Sequence, residues 1–399
     1  MIIPSNKSET CMEQKPLKIV YNTPALYLAG GVERTLTLKA NYFAENFGYD
    51  ITIILTDGIG KPNFYPLSPK IKVINLDIGF EELWNSSFAR KVYLYLKKQR
   101  VYKKRLKAQL MELRPDITIS LLRREINFIN EIKDGSRKIG ELHTSRQNNR
   151  NFKDNEINLV KAIFAKYWNR SLLRHLRKLD KFVVLTNEDR ESWKELDNVI
   201  SIPNPVSFKV DRPSNLTEKR VLAVGRYDYV KGFDRLLKAW AIVAKQVPDW
   251  SLAIYGDGDN SSYVKLRDEL GIDASRCQLH GVTSNIQDEY RGSSIYVLTS
   301  RFEGLSMAML EAISCGLPLI AFSCPCGPRD VVKDGVNGYL VENGNVEKLA
   351  ERLIAVMKSP ESLQKMGRAA QEKSKEYQIE CLALRWKQLF ESISNANYE

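Results

Sequence analysis

Two doubly wound α/β domains, each built on a parallel sheet, are the fold this sequence predicts. Short apolar runs alternate with helical periodicity along the chain, they fall into two series, and a breaker-rich segment separates the series. The length of 399 residues also exceeds what one core of ordinary size holds, so two units of roughly 200 residues are expected.

In the first series Leu17–Tyr21, Asp50–Leu55, Lys72–Leu76, Asp116–Leu121, Lys138–Leu142 and Lys181–Leu185 read as strands. Several are nearly continuous apolar runs, as a sheet covered on both faces requires. The second series is Arg220–Val224, Ser251–Tyr255, Cys277–His280, Ser294–Thr299 and Pro318–Phe322. Between them, Ile202-Pro203-Asn204-Pro205-Val206 and Asp211-Arg212-Pro213-Ser214-Asn215 interrupt both periodicities and mark the linker. The expected division is 1–205, 206–375 and a terminal helical segment, 376–399, packing back toward the first domain. Glu372–Ile393 reads as helical throughout. Ligands of such sheets sit beyond the carboxyl ends of the strands, so a shared ligand would lie in the cleft between the domains.

At 43% hydrophobic and 27% charged, the composition is that of a soluble globular protein, and no apolar run reaches the length of a membrane span. Met1–Gln14 is polar and lacks a signal-peptide core, which predicts a cytoplasmic protein. Cys11, Cys277, Cys315, Cys324, Cys326 and Cys381 show no paired metal-ligand spacing and lie apart from His143, His175 and His280. Reduced structural thiols and no bound metal are expected. Asp257-Gly258-Asp259 reads as a turn after a strand.

Net charge is +12 and unevenly distributed. Residues 1–205 hold 35 Lys and Arg against 23 Asp and Glu, whereas residues 206–399 hold 25 of each, so the surplus belongs to the first half. Arg90 to Lys107 carries nine cations and no acid, interleaved with Tyr93, Tyr95, Leu96 and Val101. Lys161–Lys181 mixes Phe164, Tyr167 and Trp168 with Arg170, Arg174, Arg177 and Lys178. Basic helices bearing aromatics suit an anionic membrane surface, and an ordinary solvated helix is the plainer alternative. No recognisable nucleic-acid module accompanies the charge, so no nucleic-acid partner is expected.

The richest stretch is Ser300-Arg301-Phe302-Glu303-Gly304-Leu305-Ser306-Met307 through Glu311. Glu303 stands at a helix entrance and Glu311 inside the helix. A helical rise over those eight residues would separate them by roughly 12 Å, about the reach from sugar to ribose of a sugar nucleotide. Free amides at the helix start would meet a diphosphate. Gly225-Arg226 and Lys231-Gly232 follow the first strand of the second series and would add two cations at a second helix entrance. In the first domain Gly30-Gly31 opens a helix, and His143 follows a strand end facing the cleft.

This ordered series resembles the retaining glycosyltransferases of family 4, within glycosyltransferase group 1, whose two-domain fold is called GT-B. The resemblance runs from about Arg220 to Leu353. It includes Tyr255-Gly256-Asp257-Gly258, His280-Gly281-Val282, and Gly327-Pro328 through Asp334-Gly335-Val336-Asn337-Gly338. In the first domain it rests on Gly30-Gly31 and His143. The resemblance implies that Arg226 and Lys231 bind the donor phosphates and that Glu311 bonds the ribose. Glu303 and His143 would face the transferred sugar, the backbone of Gly304, Leu305 and Ser306 would meet the diphosphate, Val282 would border the base, and Gly31 would pack near the phosphates. Asp330 departs from the pattern, standing where family members often carry Glu.

The expectation is a metal-independent, retaining transferase moving a hexose or N-acetylhexosamine from a UDP-sugar. The acceptor would be an oligosaccharide or lipid-linked glycan, at the inner face of the cell membrane, in polysaccharide, capsule or lipopolysaccharide assembly. No cofactor beyond the UDP-sugar is expected. A sugar-nucleotide epimerase or hydrolase, and an inactive membrane- or nucleic-acid-binding relative, are the alternatives.

Overall fold

A computed structural model describes residues 15–83, 88–147 and 169–395. Its first sheet contains β1 (Lys18–Thr23), β2 (Asp50–Leu55), β3 (Lys72–Asn75), β4 (Ile117–Ser120), β5 (Arg137–Glu141), β6 (Lys181–Val184) and β7 (Val199–Ser201). They pair in the order β3-β2-β1-β4-β5-β6-β7, all parallel. The second contains β8 (Arg220–Val224), β9 (Ser251–Tyr255), β10 (Cys277–His280), β11 (Ile295–Leu298), β12 (Leu319–Phe322) and β13 (Gly338–Val341). Its order is β10-β9-β8-β11-β12-β13, again parallel.

Strand order reverses between β1 and β4 in one sheet and between β8 and β11 in the other. Connections leave these neighbours in opposite directions, which opens a crevice at their carboxyl ends. The segments that follow β1, β8 and β11 therefore border the crevices, and they bring Gly31 at the start of a helix, Lys231 and Glu303 there.

Each strand expected from sequence is present, with ends displaced by no more than two residues. The edge strands β7 and β13 were not anticipated. β7 has three residues and runs into the proline-rich linker, while β13 begins at Gly338 directly after a turn, so neither presents a long apolar run. The helix expected over Glu372–Ile393 is broken. One helix ends at Ser374, Lys375–Tyr377 forms a 3-10 turn, and a new helix spans Ile379–Asn395. Here the chain crosses back to the first domain, and Val206 N donates to Tyr377 O at 2.9 Å, joining the two crossings.

Helix α1 (Gly31–Asn46) places Leu36, Ala40 and Phe43 in the first core. The C-terminal helix Ile379–Asn395 adds Ala383, Trp386, Phe390 and Ile393 to that same core, with Phe43 and Phe390 edge-to-face at 5.7 Å. Helix α2 (Phe88–Leu113) buries Tyr102, Leu106 and Leu110 while Tyr93, Leu96 and Met111 stay exposed. Phe164, Tyr167 and Trp168 of the second basic stretch lie outside the described residues.

Candidate active site

The second domain builds its part of the site from close backbone approaches. A Cβ on Gly256 would fall 1.8 Å from Gly225 O, so the ends of β8 and β9 come together only because Gly256 lacks one. Asp228 accepts from Lys231 N at 3.1 Å and caps the turn Tyr229–Lys231. Gly232 then takes φ +66°, where a Cβ would meet Thr299 O at 2.2 Å. This turn delivers Lys231 to the end of β11.

There Lys231 Nζ lies 2.6 Å from Glu303 Oε1, and Ser300 Oγ donates to the same oxygen at 2.6 Å. Glu303 N donates to Pro325 O, which fixes the backbone as well. Both side chains are largely shielded, with 17% and 10% of their surfaces exposed, so the ion pair is screened far less than a surface pair. Arg226 is not brought into this contact. It is 72% exposed and pairs with Asp228 at 3.0 Å.

Helix α3 (Met307–Ser314) begins after Ser306. Glu303 therefore sits in the preceding loop, and the helical rise that suggested 12 Å does not measure its separation from Glu311. Ser306 is the N-cap residue but makes no capping bond, and its buried hydroxyl has no partner. An uncapped helix start with an orphaned hydroxyl is an arrangement an anion would satisfy. Leu305 is buried and borders a small cavity with Thr186 and Asp330. Gly304 marks the meeting of the domains, since a Cβ there would lie 3.3 Å from His143 O.

Glu311, buried within α3, has both oxygens engaged. Arg34 of α1 approaches Oε1 at 3.1 Å, Ser207 Oγ donates to Oε1, and Tyr290 OH donates to Oε2 at 2.9 Å. Burial pushes its carboxyl up, against the opposing pull of Ser207, Arg34 and Tyr290.

On the first-domain side, Gly31 opens α1, and a Cβ on it would lie 3.9 Å from Met307 Cγ. The starts of α1 and α3 thus face each other. His143 follows β5, and its side chain is 5% exposed. Its Nε2 is 3.2 Å from Glu141 Oε1, without hydrogen-bond alignment, and neither ring nitrogen has a hydrogen-bond partner. Buried imidazoles are ordinarily bonded, so this one is disposed toward a ligand.

Val282 is 75% exposed, close in sequence to a stack of Tyr255 and His280 with ring centroids 4.4 Å apart. Asp330 Oδ1 accepts from Asn187 N at 2.9 Å and so bridges the domains. Asp257 and Asp259 bond their own turn. Among the described residues no group of three or more His, Cys, Asp or Glu side chains is placed to hold a metal. Cys277, Cys315, Cys324 and Cys326 are free and buried, and Cys381 is free and exposed.

Sequence reasoning missed Arg34, Ser207 and Tyr290 around Glu311, and Ser300 beside Glu303. It also missed Lys39, a lysine on the apolar stripe of α1 at helical spacing from Leu36 and Phe43. That misplaced charge was the one available signal.

Residues 207–373 match the family described as glycosyl transferases group 1. An uncharacterized glycosyltransferase of Haemophilus influenzae is 36% identical over 213 residues, covering 52% of this chain and 60% of that protein. The amylovoran biosynthesis glycosyltransferase AmsD of Erwinia amylovora is 33% identical over 217 residues, covering 52% and 61%. The matched stretch thus spans about three fifths of these relatives' lengths. The pneumococcal O-GlcNAc transferase GtfA, solved with UDP and GlcNAc, superposes with TM-score 0.69 at 15% identity, covering 95% of this chain and 99% of that one.

Proposed function

From a chain whose residues 207–373 match the glycosyl transferases of group 1 and whose two domains form the GT-B fold, we propose a sugar-nucleotide-dependent glycosyltransferase. It moves a hexose or N-acetylhexosamine from a UDP-sugar to a lipid-linked glycan in surface polysaccharide or lipopolysaccharide assembly, retaining anomeric configuration and using no metal. The observation that carries this reading is the shielded Lys231–Glu303 pair beside the uncapped start of α3. AmsD, named for polysaccharide biosynthesis, supports the setting, and the UDP held by GtfA supports the donor.

Breaking a sugar–phosphate bond builds positive charge on the ring and negative charge on the departing diphosphate. Lys231 and the amides after Ser306 stabilise the leaving group, with Arg226 swinging from Asp228 to join them. Glu303, held by Ser300 and Lys231, faces the sugar, and His143 meets it from the other domain. Glu311 receives the ribose hydroxyls.

Helix α2 supplies the membrane face. Among the described residues Arg90, Lys91, Lys97, Arg100, Lys104 and Lys107 pair with no acid, and Tyr93, Leu96 and Met111 lie exposed beside them. No helix among the described residues is long and apolar enough to cross a membrane, so contact through this surface is peripheral, at the cytoplasmic face.

The test is transfer of radiolabelled sugar from UDP-sugars to a membrane extract, comparing the native chain with Glu303→Ala. Equal transfer by both removes Glu303 from the mechanism. Turnover of the UDP-sugar without an acceptor would identify a hydrolase or epimerase instead.

A further inference from the structure

Behind His143 lies a buried charge pair that the proposed transfer does not use. Lys39, in the middle of α1, and Glu141, the last residue of β5, contact each other with side chains 2% and 1% exposed. The Lys39 ammonium also sits 4.6 Å from the ring centroid of Trp386, on the C-terminal helix. Burial pushes the Glu141 carboxyl up, but Lys39 and His143 outweigh it and hold the group at about 2. Burial draws Lys39 down, opposed by Glu141. The pair is ionic at neutral pH, because a neutral Lys39 would leave a buried carboxylate without its cation.

A buried ion pair is a weak source of stability, since hydrophobic replacements of similar volume are often as stable. Its placement gives another use. Glu141 Oε1, the oxygen that meets Lys39, also lies 3.2 Å from His143 Nε2, close enough for charge to act though out of hydrogen-bond line, and neither ring nitrogen has a hydrogen-bond partner. A carboxylate 3.2 Å from one ring nitrogen favours, by charge alone, the tautomer that turns an N–H rather than a lone pair toward it.

We propose that Lys39 and Glu141 are positioning residues that hold His143 in its Nε2–H tautomer, leaving Nδ1 as the acceptor presented to a hydroxyl of the sugar in the cleft. Trp386 closes the array from behind, so the C-terminal helix takes part in arranging the first-domain side of the site. This inference rests on the reading that His143 meets the sugar.

The chain has three histidines, which makes ring-nitrogen NMR of the full-length, ¹⁵N-histidine-labelled protein tractable. The expected result is a His143 proton on Nε2, and a proton fixed on Nδ1 overturns the proposal whatever the activity. In the double variant Lys39→Met/Glu141→Leu neither buried charge is stranded, so folding should persist while the tautomers mix. Its kcat should fall about 10- to 100-fold, with donor KM changing less than about threefold. A folded double variant with native kcat would make the pair merely structural. Lys39→Met/Glu141→Gln strands no charge either, keeps an acceptor beside Nε2, and should recover most of the turnover. If His143→Ala transfers sugar at the native rate while the tautomer result stands, the assignment of His143 to the sugar has failed and the positioning array has not.

Discussion

Arg34 Nη1 lies 3.1 Å from Glu311 Oε1, so a first-domain side chain occupies the carboxylate assigned to the donor ribose in the second domain. Arg34 is about one-third exposed and Glu311 is buried, so the guanidinium can withdraw toward solvent while the carboxylate stays. Donor binding must displace or share this contact. Arg34→Ala is therefore expected to strengthen UDP-sugar binding by a few-fold, whereas Glu311→Gln weakens it by about tenfold through loss of a charged acceptor. Calorimetry with UDP-sugars measures both, and weaker binding by Arg34→Ala would show that Arg34 serves the donor.

Under the proposed transfer, Lys231 would stabilise the leaving group and Glu303 would meet the sugar. Lys231→Met should lower kcat by about 100- to 1,000-fold, the usual cost of removing one preorganised donor at developing negative charge. A loss confined to KM would mean that Lys231 binds the ground state and transition state equally.

Glu141 supplies an acid limb to stability. Its carboxyl ionises well below the ordinary glutamate range in the folded chain, so the unfolded chain binds the extra proton first as pH falls. The stabilisation is complete above the ordinary range and disappears as pH falls toward about 2. Circular dichroism during acid titration should show this limb, and Lys39→Met/Glu141→Leu should flatten it. Glu311 acts in the opposite sense. With its carboxyl pushed up by burial, its contribution declines as pH rises from the ordinary range to its raised value.

Gly232 combines φ +66° with a hypothetical Cβ 2.2 Å from Thr299 O. Gly232→Ala meets both backbone strain and a backbone clash, so it should cost at least about 2 kcal/mol and displace Lys231. Thermal melts and donor binding report the two effects. A native melt with native affinity would refute the argument.

On α2, reversing Arg100, Lys104 and Lys107 to Glu should abolish sedimentation with vesicles containing phosphatidylserine. Each cation contributes about 1 kcal/mol at such a surface, so losing three lowers partitioning by at least about 100-fold. Transfer to a short soluble acceptor should stay unchanged, and unchanged sedimentation would assign the membrane contact elsewhere.

Much of the second domain was legible because its signals are local. β8 and β9 match their expected limits, since a buried parallel strand is a continuous apolar run. Lys231 and Glu303 stood out as candidates through their neighbouring glycines and their positions after strands. Edge strands β7 and β13 were not legible, because β7 has three residues running into the prolines of the linker and β13 begins with a glycine directly after a turn.

By itself the sequence determined the two-sheet plan and the residues at most strand ends, because apolar periodicity and turn chemistry act over a few neighbouring residues. Only tertiary structure decided the pairings: Lys231 with Glu303, Arg34 with Glu311, and Lys39 with Glu141. Each joins groups 72 to 277 residues apart, at distances set by strand order and by the meeting of two domains. A buried charge takes its partner from whatever the fold brings within reach, and no local pattern encodes that choice.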